Sequence, residues 1–164
     1  MIGKIKAYIK ELSTYCNIPF VRSEQSGVRP GELFLSYKIL SNQPEPEQCV
    51  IIKYLEKDDT QAIKQKIKES EIIVSLTFIG NEDNFGNVWD ATNKAYDFID
   101  SIEGFEAACA IGIGVSVKGP IQDRTVFLET SYEYRLGFDI IIRNEMITEV
   151  IIDAVDINAT LYNL

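Results

Sequence analysis

Residues 131–143, with the sequence SYEYRLGFDIIIR, carry the longest regular pattern of the chain. Every second side chain from Tyr132 to Ile142 is aromatic or aliphatic, and the side chains between them are polar, charged or glycine as far as Asp139. Successive side chains of a β-strand point to opposite faces, so this alternation predicts a strand with one buried face. A strand that is apolar on one face and charged on the other is typical of a half-covered antiparallel sheet.

Further elements are predicted upstream of this strand. Residues 71–79 are predicted as a second strand, because every even-numbered side chain is apolar. Apolar side chains then recur at helical spacing through residues 88–102, which predicts the clearest helix of the chain, with Gly104 expected to mark its end. A helix of about four turns at most is predicted from the apolar stripe of residues 2–12, and it should end at residues 17–19, Asn-Ile-Pro.

The remaining regular segments are predicted as strands joined by polar connections. Residues 33–40 and 49–55 are predicted to form a hairpin across an exposed connection at residues 41–48. Residues 58–69 are ambiguous, since residues 61–63 would suit a helix, but extended structure is favoured because the lysines alternate with other residues as in an exposed edge strand. A glycine-rich strand at residues 111–117, a turn at Gly119 and Pro120, and a last strand at residues 146–157 complete the set.

The order of these elements is helix, strands, helix and strands. It predicts the α+β class, with an antiparallel or mixed β-sheet and two main helices packed on one face. A doubly wound sheet would need a regular alternation of strands and helices, which the sequence does not show. The length of 164 residues predicts a single domain over residues 1–164.

The composition argues against several classes of function. The chain has no histidine, which removes the commonest general base and the commonest transition-metal ligand. Cys16, Cys49 and Cys109 form no C-x-x-C pair, so neither a disulfide framework nor a zinc site is indicated. The formal charge of -9 opposes binding to nucleic acid phosphates. No apolar run approaches the length of a membrane span, and no signal peptide is indicated. We therefore expect a protein that is not an enzyme and that has no cofactor, no metal and no membrane contact.

Three motifs that could carry chemistry are better explained by structure. Residues 112–114, Gly-Ile-Gly, are followed by strand residues and no helix start, so sheet packing is favoured over phosphate binding. The acidic pair at 58–59 and the cluster Glu82-Asp83-Asn84 lack the oxygen spacing of a calcium loop and fit solvated turns. Glu129 and Glu133 lie about 13 Å apart on an extended chain, which is too far for a pair of glycosidase carboxylates.

Two of the predicted stretches resemble the phage neck or tail-terminator family. Residues 131–143 resemble the strand of that family that reads glutamate, aromatic, arginine, any residue, glycine, phenylalanine, aspartate. Residues 71–80, followed by a helix from about 87 to 102, resemble the strand and helix pair of the same family. The resemblance spans roughly residues 33–143 and includes no catalytic signature.

The resemblance implies a small α+β subunit that forms a ring, commonly a homo-hexamer, on the last ring of the tail tube. Such a ring stops tube growth and offers a docking face to the head, so the expected partners are the tail-tube protein and the head-connector protein. The expected location is the neck of the virion tail, after assembly in the cytoplasm of the bacterial host. Six copies at -9 give a formal charge of -54, and an acidic lumen would let DNA pass without specific binding.

Polar residues and exposed loops are the candidates for contacts in such a ring. Arg135 stands between Glu133 and Asp139 on the polar face of the predicted strand, where cross-strand ion pairing or a subunit contact suits it better than catalysis. The candidate interface residues are Glu133, Arg135, Asp139, Asn81, Glu82, Asp83 and Arg124. The candidate loops are residues 23–31, 41–48, 80–86 and 119–124, and a role as plain connections explains each of them equally well.

Two other functions stay open on the sequence alone. The chain could be another head-tail connector or a tail-tube component. A small-molecule-binding α+β domain is less favoured, because it needs convergent polar groups that the sequence does not show.

Overall fold

A computed structural model describes residues 1–25, 29–44, 50–57, 61–129 and 131–153. This part of the chain contains a mixed sheet of seven strands, three α-helices and a short 3₁₀ helix. The α+β class and the mixed sheet are therefore confirmed. The two predicted helices correspond to the first and second helices of the structure, and the third helix is additional.

The helices and strands have the following bounds. The helices are α1 (Ile2–Cys16), α2 (Phe85–Asp100) and α3 (Ile102–Ile111), and the 3₁₀ helix is Glu82–Asn84. The strands are β1 (Phe20–Arg22), β2 (Phe34–Pro44), β3 (Val50–Glu56), β4 (Gln61–Gly80), β5 (Gly114–Asp123), β6 (Val126–Leu128) and β7 (Ser131–Asp153). Their order in the sheet is β1-β2-β4-β7-β5, with β3 paired to β4 and β6 paired to β7. The pair β1/β2 is parallel, and the pairs β3/β4, β5/β7 and β6/β7 are antiparallel.

The contacts of the chain group it into two compact units. Unit 1 comprises Met1–Asn42 and Glu71–Asn144, and unit 2 comprises Gln43–Ser70 and Glu145–Leu164. Unit 1 contains all three described α-helices, whereas the described part of unit 2 consists almost entirely of strand residues. The organisation as a single domain stays a prediction.

The core of unit 1 is built from one face of β4 and β7 and from the helices. The even-numbered side chains from Ile72 to Phe78 and from Leu136 to Ile142 are at most 3% exposed, which confirms the predicted alternation. The helices α1 and α2 add buried side chains at helical spacing to the same core. Each fully buried aliphatic or aromatic side chain of this kind contributes roughly 1.5–3 kcal/mol to stability. The helix α1 ends as predicted, at Asn17, which has a left-handed φ of 57°.

The second helix ends earlier than the sequence predicted, and a third helix follows it at once. Ser101 has an extended conformation, and its hydroxyl accepts a hydrogen bond from the backbone N–H of Gly104 at 3.0 Å, which caps α3. Gly104 therefore lies in the first turn of α3, and the expectation that it ends a helix was wrong. A Cβ at Gly104 would overlap the carbonyl oxygen of Phe98, so the glycine permits a close approach between successive helices.

Gly119 and Pro120 do not turn the chain, contrary to the prediction. The strand β5 continues through them and pairs with β7 on both sides of a register shift between Lys118 and Gln122. Gly119 has a φ of 89°, which favours glycine, and the irregularity accommodates extra residues as a β-bulge does. The strand also begins later than predicted, because Ile111 still belongs to α3.

Among the described strands, β3 pairs with β4, and the predicted hairpin between residues 33–40 and 49–55 was wrong. In the observed pair, Ile51 lies opposite Ile67. The strand β4 follows β3 in the chain after a connection of four residues, so that neighbours in sequence are neighbours in the sheet. The strand β2 extends to Pro44, so the first residues of the predicted connection are strand, and residues 45–49 lie outside the described part.

Two predicted strands are continuous with longer ones. The extended structure favoured for residues 58–69 is confirmed from Gln61 onward, where it forms the first half of β4. The strand predicted at residues 146–157 is the continuation of β7 as far as Asp153. Residues 58–60 and 154–164 lie outside the described part, so the acidic pair at 58–59 is not placed.

Candidate interaction surfaces

The carboxylate of Glu133 on β7 accepts hydrogen bonds from two arginines. Arg29 Nη1 donates to Glu133 Oε2 at 3.1 Å, and Arg135 Nε donates to Glu133 Oε1 at 2.6 Å. The Glu133 side chain is only 12% exposed, so these charge-assisted hydrogen bonds are partly shielded from water. The ion pair of Arg135 therefore joins two residues of the same strand, whereas a cross-strand pair was predicted. A contact of these residues with another subunit stays a prediction.

Arg124 and Asp139, two further predicted interface residues, form an ion pair on the polar face of the sheet. Arg124 Nη2 lies 3.0 Å from Asp139 Oδ1. Its Nη1 donates to Ser75 Oγ at 2.7 Å and to Thr77 Oγ1 at 3.1 Å, both on β4. The guanidinium thus ties β4, β7 and the connection before β6 together, which stabilises the sheet whatever else it contacts.

The predicted residues Asn81, Glu82 and Asp83 lie together in the chain after β4. Asn81 Oδ1 accepts a hydrogen bond from the side-chain amide of Asn84 at 2.7 Å. The side chains of Glu82 and Asp83 are exposed. Within the described residues, no group of three or more acidic or cysteine side chains is arranged to hold a metal ion.

A cavity of about 500 Å³ opens in unit 1 beside Glu133, and the sequence analysis did not find it. Its lining combines the three arginines Arg22, Arg29 and Arg135 with serine hydroxyls and with the apolar side chains of Phe34 and Ile79. The arginines come from β1, the following loop and β7, which are distant in sequence. Only the folded sheet brings them together.

A row of aromatic side chains was also not predicted from the sequence. The ring centroids of Phe85 and Tyr134 lie 4.7 Å apart, those of Tyr134 and Tyr132 6.3 Å, and those of Tyr132 and Phe127 4.9 Å. Tyr132 is half exposed, so the burial predicted for the whole alternating face holds only from Leu136 onward. On α2, one turn after Phe85, the side chain of Trp89 is also half exposed.

The strands of unit 2 expose aliphatic side chains. Lys53 lies opposite Gln65, whose amide donates to Glu149 at 2.6 Å, so these three residues share one face of unit 2. Side chains two positions apart on a strand lie on the same face. This face therefore also carries Ile51, Leu55, Ile147 and Ile151, each 43–56% exposed. The other face exposes Ile52, Tyr54, Met146 and Val150. The signal in the sequence was the run VIIKYLE of β3, which lacks the alternation of a strand with one buried face.

The helix α3 exposes two large apolar side chains beside two carboxylates. Ile102 is 75% exposed and Phe105 is 67% exposed. The side chains of Glu103 and Glu106 are exposed on the same helix. No helix was predicted at these residues from the sequence, so this surface was not predicted either.

Two titratable groups are buried in the core of unit 1. The hydroxyl of Tyr8 has no hydrogen-bond partner among the described residues, and burial, with a smaller contribution from the charge of Asp100, raises the pKa of Tyr8. Burial also raises the pKa of the Cys16 thiol to about 11, although the charge of Lys94 opposes this. Cys16 is therefore a neutral thiol. Cys109 is exposed, and Cys49 lies outside the described residues.

Comparisons with known proteins point to one family. A family model described as phage neck terminator protein matches residues 5–163, nearly the whole chain. No curated protein matches the chain. None of the helices in the described ranges has the length and apolar character to cross a membrane.

Proposed function

The chain belongs to the phage neck terminator family, and from this premise we propose that its copies form a ring on the head-proximal end of a phage tail tube. The ring ends the growth of the tube and joins the tube to the head connector. Membership of the family already makes the protein a structural component of the phage tail or neck. The proposal includes three further parts. The ring is a homo-hexamer, it binds the tail-tube and head-connector proteins, and it assembles in the host cytoplasm.

The exposed aliphatic face of unit 2 is the observation that carries the ring. Ile51, Leu55, Ile147 and Ile151 share this face and are about half exposed, although such residues are usually buried. Apolar surfaces of this kind mark contacts with other proteins. Burial of apolar surface against a neighbouring copy is favourable. A neighbouring copy that covers this face supplies that burial.

The charge of the chain fits a ring through which DNA passes. Six copies at -9 give -54, and a lumen lined by this surplus repels phosphates, so that duplex DNA slides through without being held. Measurable binding of duplex DNA to the purified protein at ordinary salt would contradict this part of the proposal.

A second candidate function rests on the same surface. A head-tail connector or a tail-tube component is also built from copies that cover apolar surface on their neighbours. Light scattering after size-exclusion chromatography distinguishes these functions, because a tube protein forms open-ended polymers and a terminator forms closed rings. A small-molecule-binding domain is not favoured, since the family model that matches nearly the whole chain is that of a phage neck terminator protein.

Electron microscopy of phage particles made without this chain tests the proposed function. We expect overlong tubes, or tails that lack heads, and we expect the wild-type chain supplied in trans to restore normal particles. Tails of normal length joined to heads in the absence of the chain would overturn the proposal. A label on the chain that is found at the tip of the tail would overturn it equally.

A further inference from the structure

The cavity in unit 1 carries more positive than negative charge. Three of the five arginines of the chain line it, and Glu133 is the carboxylate in its lining. Just outside the lining, Glu24 lies between Arg22, at 3.4 Å, and Lys38, at 3.9 Å. The four cations and two carboxylates leave a local excess of two positive charges in a protein whose formal charge is -9.

Several hydrogen-bond donors in this cavity are still available. Arg22 contacts Glu24 only through Nη2, and Arg135 contacts Glu133 through Nε and Nη2, so each has a further donor without a partner among the described residues. Ser23 and Ser36 share a hydrogen bond of 2.7 Å, which leaves one of their two protons free to donate. A carboxylate is the acceptor that suits two guanidinium groups and a hydroxyl.

The exposed part of α3 has the complementary character. Phe105 projects an aromatic ring into solvent, and Glu103 and Glu106 flank it with carboxylates that have no partner among the described residues. The cavity combines arginines with the apolar side chains of Phe34 and Ile79. An aromatic ring with a neighbouring carboxylate therefore meets both an apolar and a cationic lining there.

The two surfaces are built by different elements of unit 1. The cavity is lined by residues of β1, β2, β4, β7 and the loop after β1, and no residue of α3 lines it, since α3 packs against α1, α2 and β5. The α3 of one copy therefore does not occupy the cavity of the same copy. A contact between two different patches of identical copies is heterologous, and a ring is the closed assembly that such contacts build.

We propose that Phe105 and Glu106 of one copy insert into the arginine cavity of the next copy, and that this contact repeats around the ring. This inference rests on the proposed ring function. The carboxylate, rather than a DNA phosphate, is the occupant, because the cavity is a single compact site and duplex binding needs an extended row of cations, which a chain of charge -9 does not favour. Every neighbouring copy, in contrast, supplies carboxylates in surplus.

Charge exchange between the two surfaces tests this contact. Glu106→Arg and Arg22→Glu each place like charges in the interface, and each is expected to weaken association of the chain at least about tenfold in sedimentation experiments. Each single variant keeps one intact surface, so an equimolar mixture of the two is expected to associate again. The double variant has opposite charges at the interface again, and its association is expected to be about tenfold stronger than that of either single variant.

Glu11→Arg is the matched control, because Glu11 is an exposed acidic residue on α1 that belongs to neither surface, and the association of this variant is expected to stay as in the wild type. Thermal unfolding of each variant establishes that it is folded. Association that is unchanged in both single variants, or a double variant no better than either, would overturn the contact. Loss of duplex DNA binding in Arg22→Glu would instead assign the cavity to phosphate.

The same variants in phage particles separate this inference from the proposed function. If particles made without the chain have overlong or headless tails, but particles that carry either single variant, Arg22→Glu or Glu106→Arg, are normal, the ring function stands and this contact is wrong. If particles made without the chain are normal, the ring function itself is wrong.

Discussion

At Gly137 the backbone of β4 leaves no room for a side chain. A Cβ there would overlap the carbonyl oxygen of Leu76 and lie 3.1 Å from the Cα of Thr77. Gly137→Ala is therefore expected to lower the free energy of unfolding by about 1–3 kcal/mol, measured by denaturant titration. Gly86→Ala is the control, since nothing lies within 4 Å of its Cβ position and alanine favours the helix α2. An equal loss of stability in both variants would contradict the expected crowding at Gly137.

The hydroxyl of Tyr8 is expected to destabilise the core slightly. It is fully buried and unpartnered within the described residues, and an unpaired hydroxyl costs desolvation energy. Tyr8→Phe is therefore expected to leave the free energy of unfolding unchanged or to raise it by about 1 kcal/mol. Tyr8→Leu, which removes the ring that lies 6.2 Å from the ring of Phe98, is expected to lower it by about 1–3 kcal/mol. A clear loss of stability in Tyr8→Phe would show that the hydroxyl has a partner.

The contacts of single residues were predicted poorly from the sequence. Cross-strand pairing was predicted for Arg135, but it pairs with Glu133, two residues away on its own strand. The pairing of Arg29 with the same carboxylate joins residues 104 positions apart, and it depends on the order of β1, β2, β4 and β7 in the sheet. A single sequence contains no signal for that order, so the cavity was not predicted.

The break between α2 and α3 depends on the side chain of Ser101. Its hydroxyl accepts from the backbone N–H of Gly104, one of the N–H groups that a helix start leaves unpaired. Ser101→Ala is expected to lower the free energy of unfolding by about 1 kcal/mol, whereas Ser101→Asp, which keeps an acceptor, is expected to retain most of the stability. Thermal unfolding followed by circular dichroism measures both. A stable Ser101→Ala would mean that the packing of the helices alone holds the break.

Elements with one buried face were predicted, and elements with exposed apolar residues were not. The alternation at residues 71–79 and 131–143 identified the central strands. A strand with one covered face keeps an apolar residue at every second position, and this pattern is visible in the sequence. The helix α3 was missed because its apolar residues Ile102 and Phe105 are exposed and break the amphipathic pattern. The bulge at Gly119 was taken for a turn, because a glycine followed by proline favours both.

The assembly of the whole molecule is expected to depend on the aliphatic face of unit 2. Ile51→Gln removes an exposed branched side chain from this face and is expected to reduce the incorporation of the chain into tails about tenfold. Lys53→Gln is the matched control, two residues along the same face, and it is expected to be incorporated normally. Quantitative immunoblots of purified particles measure the incorporated chain. Equal incorporation of both variants would show that this face does not join the assembly.

The structural class and the family of the whole molecule were predicted from the sequence, and the extent of its exposed apolar surface was not. Composition, charge and the lack of histidine point to a structural protein without naming its contacts. The run VIIKYLE in β3 is compatible with a fully buried strand as well as with an exposed one. Burial decides between them, and burial is a property of the folded chain.

Trp89, half exposed on α2 one turn after Phe85, is the single tryptophan of the chain. Its fluorescence therefore comes from one position and can be followed in native, unlabelled protein. Indole in contact with water emits at longer wavelength than indole that is shielded. A shift of the emission to the blue as subunits are concentrated would show that a neighbouring subunit covers Trp89, and an unchanged spectrum would show that Trp89 stays in contact with water when subunits associate.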